Sequence, residues 1–216
     1  MNELYKSFIS RCNVYQHKVD SLRISRPSMD EWTFNRLTEG LMSDIWQHWC
    51  HFCRKLIHNS CRGSICLDRK IVSPRLISLD NSWERLGYEA KRRNQHKTIN
   101  GHHSFLVRNE PTWGDIDNIV DIIIALDPTN KNQLLSAFGM SLKDINHLQL
   151  ARNAAAHKNV ETMSNLSHDM ILYYNFTQLK NPSDLAWSIR QGTTSLAFYV
   201  WIYQMKTIAY HAVRTC

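Results

Sequence analysis

Glycine and proline are scarce, seven and five in 216 residues, and no stretch is rich enough in Pro, Gly or Ser to mark a domain boundary. With 43% hydrophobic and 21% charged residues, the composition excludes low-complexity and intrinsically disordered chains, which cannot bury enough apolar surface to offset the entropy of folding. No segment repeats at spacings of roughly 20–50 residues, which excludes solenoids and propellers. Convincing period-two alternation is also missing, so a sheet is not expected. The first residues, Met1-Asn2-Glu3-Leu4-Tyr5-Lys6, show no basic segment leading into an apolar run, and nothing there resembles a secretory signal. The most apolar stretch, 196–213, is broken by Gln204, Lys206 and His211 and falls short of the ~20 predominantly apolar residues that span a bilayer. The expectation is a single helical domain over 1–216 in the cytoplasm, without membrane contact.

The sequence contains 26 Lys and Arg against 19 Asp and Glu, a net charge of +7. A polyanionic partner such as RNA suits that balance, although charge alone only supports a hypothesis made elsewhere. The densest basic run is Lys91-Arg92-Arg93, close to His96 and Lys97, and it reads either as a solvated helix end or as an RNA contact. Six cysteines are present, four of them as Cys50-x2-Cys53-x7-Cys61-x4-Cys66. In a reducing compartment they are expected as thiols rather than bridges. Their spacing resembles a zinc site, but Cys50 and Cys53 fall within a helical pattern, where an i, i+3 pair also suits a buried stripe. The pairs His48-x2-His51 and His102-His103 lack carboxylates at ligand spacing, and no metal or other cofactor is expected.

Helices account for most of the chain. Pro27 precedes Ser28-Met29-Asp30-Glu31, which has the form of a capping box. From there Phe34, Leu37, Leu41, Ile45, Trp49, Phe52 and Leu56 recur at three- and four-residue steps, predicting a long early helix of roughly thirty residues with Gly63 beyond its end. An earlier helix is expected over 3–22 and a short one over 82–93, the latter inside an irregular insertion at 62–112 where Pro74 and Pro111 interrupt the pattern. At 115–126, Ile116, Ile119, Val120, Ile123 and Ile124 are expected on one face, and the run stops before Pro128 because a residue preceding proline disfavours helix. A helix over 131–138 is closed by Gly139, and Ser141-Leu142-Lys143-Asp144 offers a cap for the next. Two further helices, 163–179 and 182–213, complete an all-α bundle.

The chemistry concentrates in Leu148-Gln149-Leu150-Ala151-Arg152-Asn153-Ala154-Ala155-Ala156-His157-Lys158-Asn159. On a helix, Asn153 and His157 lie about 40° apart and share a face, while Arg152 and His157 are roughly 140° apart, so the arginine must reach round on its long stem. The alanines keep the surface between them low enough for a helix or a phosphate to approach. Taken singly, His157 near a helix end also reads as a dipole-compensating residue and Arg152 as a surface cation.

Arg152-Asn153-x3-His157, late in an all-α chain, resembles the Arg-x4–6-His signature of HEPN (higher eukaryotes and prokaryotes nucleotide-binding) proteins, in which the residue after the arginine is commonly polar and often asparagine. The resemblance extends to the long early helix with Glu39-Gly40 and Trp46-Gln47, and to the helical segment leading from Trp113 into the motif. By architecture it covers about two-thirds of the chain, and by specific motif only about six residues. It implies a metal-independent endoribonuclease in which two protomers bring their motifs together, Arg152, Asn153 and His157 acting on the scissile phosphate. Lys158, Lys91, Arg92 and Arg93 are candidates for contacting RNA, and Glu39 for tuning the site. The family's stand-alone members act as toxins or antiphage effectors, commonly under the control of a partner protein. A HEPN-fold scaffold without catalysis, binding a protein or nucleic acid, is the alternative.

Overall fold

The computed structural model describes residues 1–75, 80–140, 142 and 144–214. It is 67% helical with 4% strand, and the chain is all-α. The elements are α1 (Asn2–Ser25), α2 (Glu31–Arg62), β1 (Ser64–Ile65), β2 (Ile71–Val72), α3 (Trp83–Lys91), α4 (Ile116–Leu126), α5 (Lys131–Phe138), α6 (Asp144–His157), α7 (Val160–Met170), β3 (Tyr174–Asn175), β4 (Ile189–Arg190) and α8 (Ala197–Arg214). Short 3₁₀ turns lie at Arg26–Ser28, Val107–Asn109 and Pro182–Trp187. Contacts divide the chain into two compact units, the first comprising Met1–Phe8, Trp49–Ser141 and Thr207–Cys216, the second Ile9–His48 and Leu142–Lys206. Among the described residues, no helix is long and apolar enough to cross a membrane.

The first unit is built on an aromatic cluster. Phe8 stacks on Phe52 at 4.2 Å between ring centroids and lies 5.9 Å from Trp49, whose indole N–H donates to Gly114 O at 2.9 Å. Gly63 closes α2 in the left-handed region at φ +90°, a conformation glycine adopts without steric cost, and the antiparallel pair β1–β2 follows. The 62–112 segment thus contains a β-hairpin, α3 and a 3₁₀ turn. Buried Arg75 binds Glu89 Oε2 at 2.6 Å and Asn81 Oδ1 at 2.5 Å, tying the chain after β2 to α3. The α4 helix begins at its N-cap Asp115 and ends at Asp127 in the left-handed region, just ahead of Pro128. Its buried face is Ile116, Ile119, Ile122, Ile123 and Leu126, so Ile122 takes the place expected for Ile124, which is exposed. Four cysteines, Cys12, Cys50, Cys53 and Cys61, are outside disulfides. Cys66 is disulfide-bonded, which corrects the expectation of thiols throughout and removes it from the zinc set. Burial pushes the Cys61 thiol up to about 12. Among the described residues, no three His, Cys, Asp or Glu side chains gather as metal ligands would.

In the second unit the start of α2 departs from the expected cap. Ser28 sits in a 3₁₀ turn and donates to Ser25 O, while Asp30 takes up the cap, accepting from Thr33 N at 2.9 Å and Thr33 Oγ1 at 2.6 Å. A carboxylate there is favoured over a hydroxyl by the helix dipole as well as by its two acceptor oxygens. Leu37, expected on the buried stripe, is 47% exposed. The cap proposed at Ser141 and Lys143 lies outside the described residues. Both late helices are shorter than expected. The α7 helix stops at Met170, because the carbonyls beyond it are claimed by side chains: Gln191 Nε2 donates to Ile171 O at 2.9 Å and Arg190 Nη1 to Tyr173 O at 3.0 Å. The segment predicted as one helix over 182–213 is a 3₁₀ turn, then β4 paired antiparallel with β3, then α8, with Gly192 turning the chain at φ +76°.

Candidate functional site

The motif occupies the end of α6. Ala151 and Ala154 are buried, and α6 packs against the Pro182–Trp187 turn. Arg152 and Asn153 are half-buried, and Ala156, His157 and Lys158 are exposed. Arg152 Nη1 donates to Asn153 Oδ1 at 3.2 Å. This contact draws the guanidinium round the helix toward the face that Asn153 shares with His157 by helical spacing.

The helix ends abruptly. Lys158 has φ +37°, its N–H donates to Ala154 O at 2.8 Å, and the next residue, Asn159, is already the N-cap of α7. Asn159 Oδ1 accepts from Thr162 N at 2.8 Å and Thr162 Oγ1 accepts from Asn159 N at 3.3 Å, a reciprocal capping box. The left-handed backbone at Lys158 is unfavourable for a residue with a side chain. An ion pair accompanies it: Lys158 Nζ lies 2.8 Å from Glu39 Oε1, while Arg36 Nη1 donates to Glu39 Oε2 at 3.2 Å. Glu39 is therefore brought to the corner beside the motif, and its buried carboxylate is held by one cation from its own helix and one from the α6–α7 turn. The ammonium of Lys158, expected from the sequence to contact RNA, is engaged in this internal pairing.

Lys91, Arg92 and Arg93 belong to the first unit, at the end of α3. Arg92 Nη1 donates to Gln95 Oε1 at 2.9 Å, and Arg93 bonds Asn118 and pairs with Asp121 at 3.6 Å. Lys91 is exposed.

Sequence reasoning missed a polar network at the opposite end of α6. Asp144 Oδ1 accepts from Arg190 Nε at 3.1 Å and lies 3.2 Å from His147 Nδ1, while Asp144 Oδ2 accepts from Gln204 Nε2 at 2.7 Å. The Tyr174 hydroxyl accepts from Trp201 Nε1 at 2.9 Å and lies 3.0 Å from His147 Nδ1. Burial pushes the Asp144 carboxyl up, and the hydrogen bonds and charges of His147 and Arg190 outweigh that, leaving it below the ordinary carboxylate range. The available signal was the i, i+3 spacing of Asp144 and His147. Its partners at 174, 190 and 204 come from distant parts of the chain.

Comparison with protein-family models, with curated proteins and with solved structures finds no match in any of the three.

Proposed function

We propose that this chain is a HEPN-type, metal-independent endoribonuclease working through Arg152, Asn153 and His157 contributed by each of two protomers. The observation that carries the reading is the disposition of the α6 end, where an asparagine-held guanidinium and a solvent-facing imidazole share a helix shaved to alanine. In the reaction, His157 takes the proton of a ribose 2′-OH, and the 2′ oxygen attacks phosphorus. The P–O5′ bond then breaks, and the partner's His157 returns a proton to the departing 5′ oxygen. The products are a 2′,3′-cyclic phosphate and a 5′-OH. Arg152 neutralises the charge that builds on the phosphorane, a task suited to a planar cation that keeps its proton. The setting consistent with such an activity is a toxin–antitoxin or antiphage system of the bacterial cytoplasm, with a companion protein restraining the enzyme.

The test is total-RNA integrity and growth on controlled expression, comparing wild type with Arg152→Ala and His157→Ala at equal levels of folded protein. Wild type is expected to cut RNA, and each substitution to slow cutting by about 10²–10⁴-fold. Absence of cutting by wild type, with neighbouring gene products supplied, sinks the reading. The scaffold reading then takes over, favoured by the exposure of His157 on the last turn of α6, where it compensates the helix dipole.

A further inference from the structure

The second unit contains a groove of about 510 Å³ that opens at the residue following His157. Lys158 and Asn159 form one end of it, the outward side of α7 one wall, and the 178–182 segment the other. Its lining combines two chemistries. Leu179 and Pro182 are buried and, with Met163, offer an apolar surface, while Ser164 and Ser167 stand three residues apart on α7. Neither serine hydroxyl bonds another described residue.

The charge at the two ends of the groove is unequal. Lys158 is balanced by Glu39 at 2.8 Å. Across from it, the Lys180 backbone N–H is anchored on Asp184 Oδ2 at 2.8 Å, whereas its exposed ammonium makes no ion pair with a described residue. The volume falls in the ~300–1,000 Å³ range of small-ligand clefts. A ligand fitting this lining has a planar face to lie on Leu179, Met163 and Pro182, polar edges for the serines, and one negative group for Lys180. A nucleotide has all three, since base stacking on an apolar platform tolerates any sequence and a phosphate supplies the charge.

We infer that this groove is a nucleotide subsite that holds the RNA beside the scissile phosphate, with Lys180 as its phosphate contact. The inference rests on the ribonuclease reading for its substrate, but its test reads binding rather than cutting. Full-length His157→Ala protein is titrated with a short fluorescein-labelled oligoribonucleotide across a range of salt, followed by anisotropy, alone and combined with Lys180→Gln or Ser167→Trp. Lys180→Gln should lower the slope of log affinity against log salt by about 0.7, the share of one single-strand phosphate. Ser167→Trp, which fills the groove without changing charge, should weaken binding about tenfold while leaving that slope in place. Unchanged affinity and slope in both variants overturns the subsite, as does absence of RNA binding by the His157→Ala protein. If both variants weaken binding as expected but wild type fails to cleave RNA, the subsite stands and the ribonuclease reading falls. If wild type cleaves and neither groove variant affects binding, the reverse holds.

Discussion

The two ends of α6 are both polar, and they differ in everything else. At the start, Asp144 is buried and held by Arg190, Gln204 and His147 together, and Arg190 also lies over the rings of Tyr173 and Tyr174 at 5.2 and 5.7 Å. At the finish, Arg152 has one side-chain contact and His157 faces solvent. Both oxygens of the Asp144 carboxylate are engaged, and removing such a buried acceptor strands its donors away from water, while Gln204 Oε1 in the same cluster has no hydrogen-bond partner. Sparsely satisfied groups at the surface contribute little to folding and retain their donors for something else. The first end ties the fold together, and the second leaves its polar groups at the surface.

Stability measurements should separate the ends sharply. Asp144→Ala, which takes from Arg190 Nε and Gln204 Nε2 the carboxylate they share, should cost about 3 kcal/mol in chemical denaturation. Arg152→Ala and His157→Ala should each stay within about 0.5 kcal/mol of wild type. Equal losses at both ends would erase the distinction.

His58 sharpens the comparison from the first unit, being buried like the closed end and unsatisfied like the open one. Neither of its ring nitrogens has a hydrogen-bond partner, and it lies between Trp83 and Trp113 at centroid distances of 4.5 and 5.2 Å. Burial, reinforced by Arg54, Arg62 and Arg75, pushes its pKa down from 6.5 to about 3. Above pH 6.5 the ring is neutral folded and unfolded, and its titration contributes nothing. Below it, the unfolded chain takes up a proton that the folded one refuses. This site should therefore remove stability at up to about 1.4 kcal/mol per pH unit as the pH falls toward 3. Denaturation midpoints of His58→Phe against pH should be flatter across that window, and a parallel curve would contradict the assignment.

A modest effect of the opposite sign is expected beside Glu39, the carboxylate that pairs with the open end. A Cβ added at Gly40 would meet nothing within 4 Å. Gly40→Ala should thus stabilise the chain by about 0.5–1 kcal/mol through helix propensity alone. Unchanged RNA cleavage in that variant would show that the open end depends on side chains and not on a yielding α2.

What could be read from the sequence followed the physics of each signal. Apolar residues at three- and four-residue steps made α2 and the shorter α4 legible, a weaker pattern marked α1, and Gly63 and Pro128 marked where α2 and α4 stop. The late hairpin was hidden because its strands are two residues long, too short for alternation to register, and because α7 is ended by Arg190 and Gln191 from outside the helix. At the site, Arg152, Asn153 and His157 were visible as local spacing. The pairing of Lys158 with Glu39 was not, since 119 positions separate them and nothing local forecasts which carboxylate a lysine meets. Asp30 displaced Ser28 as a cap for a simpler reason: two good acceptors stood within one turn, and the carboxylate had more to offer the amides.

One residue, Lys158, is all that lies between the last turn of α6 and the N-cap of α7. The imidazole of His157 is therefore mounted on a crank rather than on a string. On the proposed ribonuclease reading, no slack chain must be gathered in when RNA arrives, so the ordering entropy that a flexible loop would owe at each encounter was settled when the protein folded.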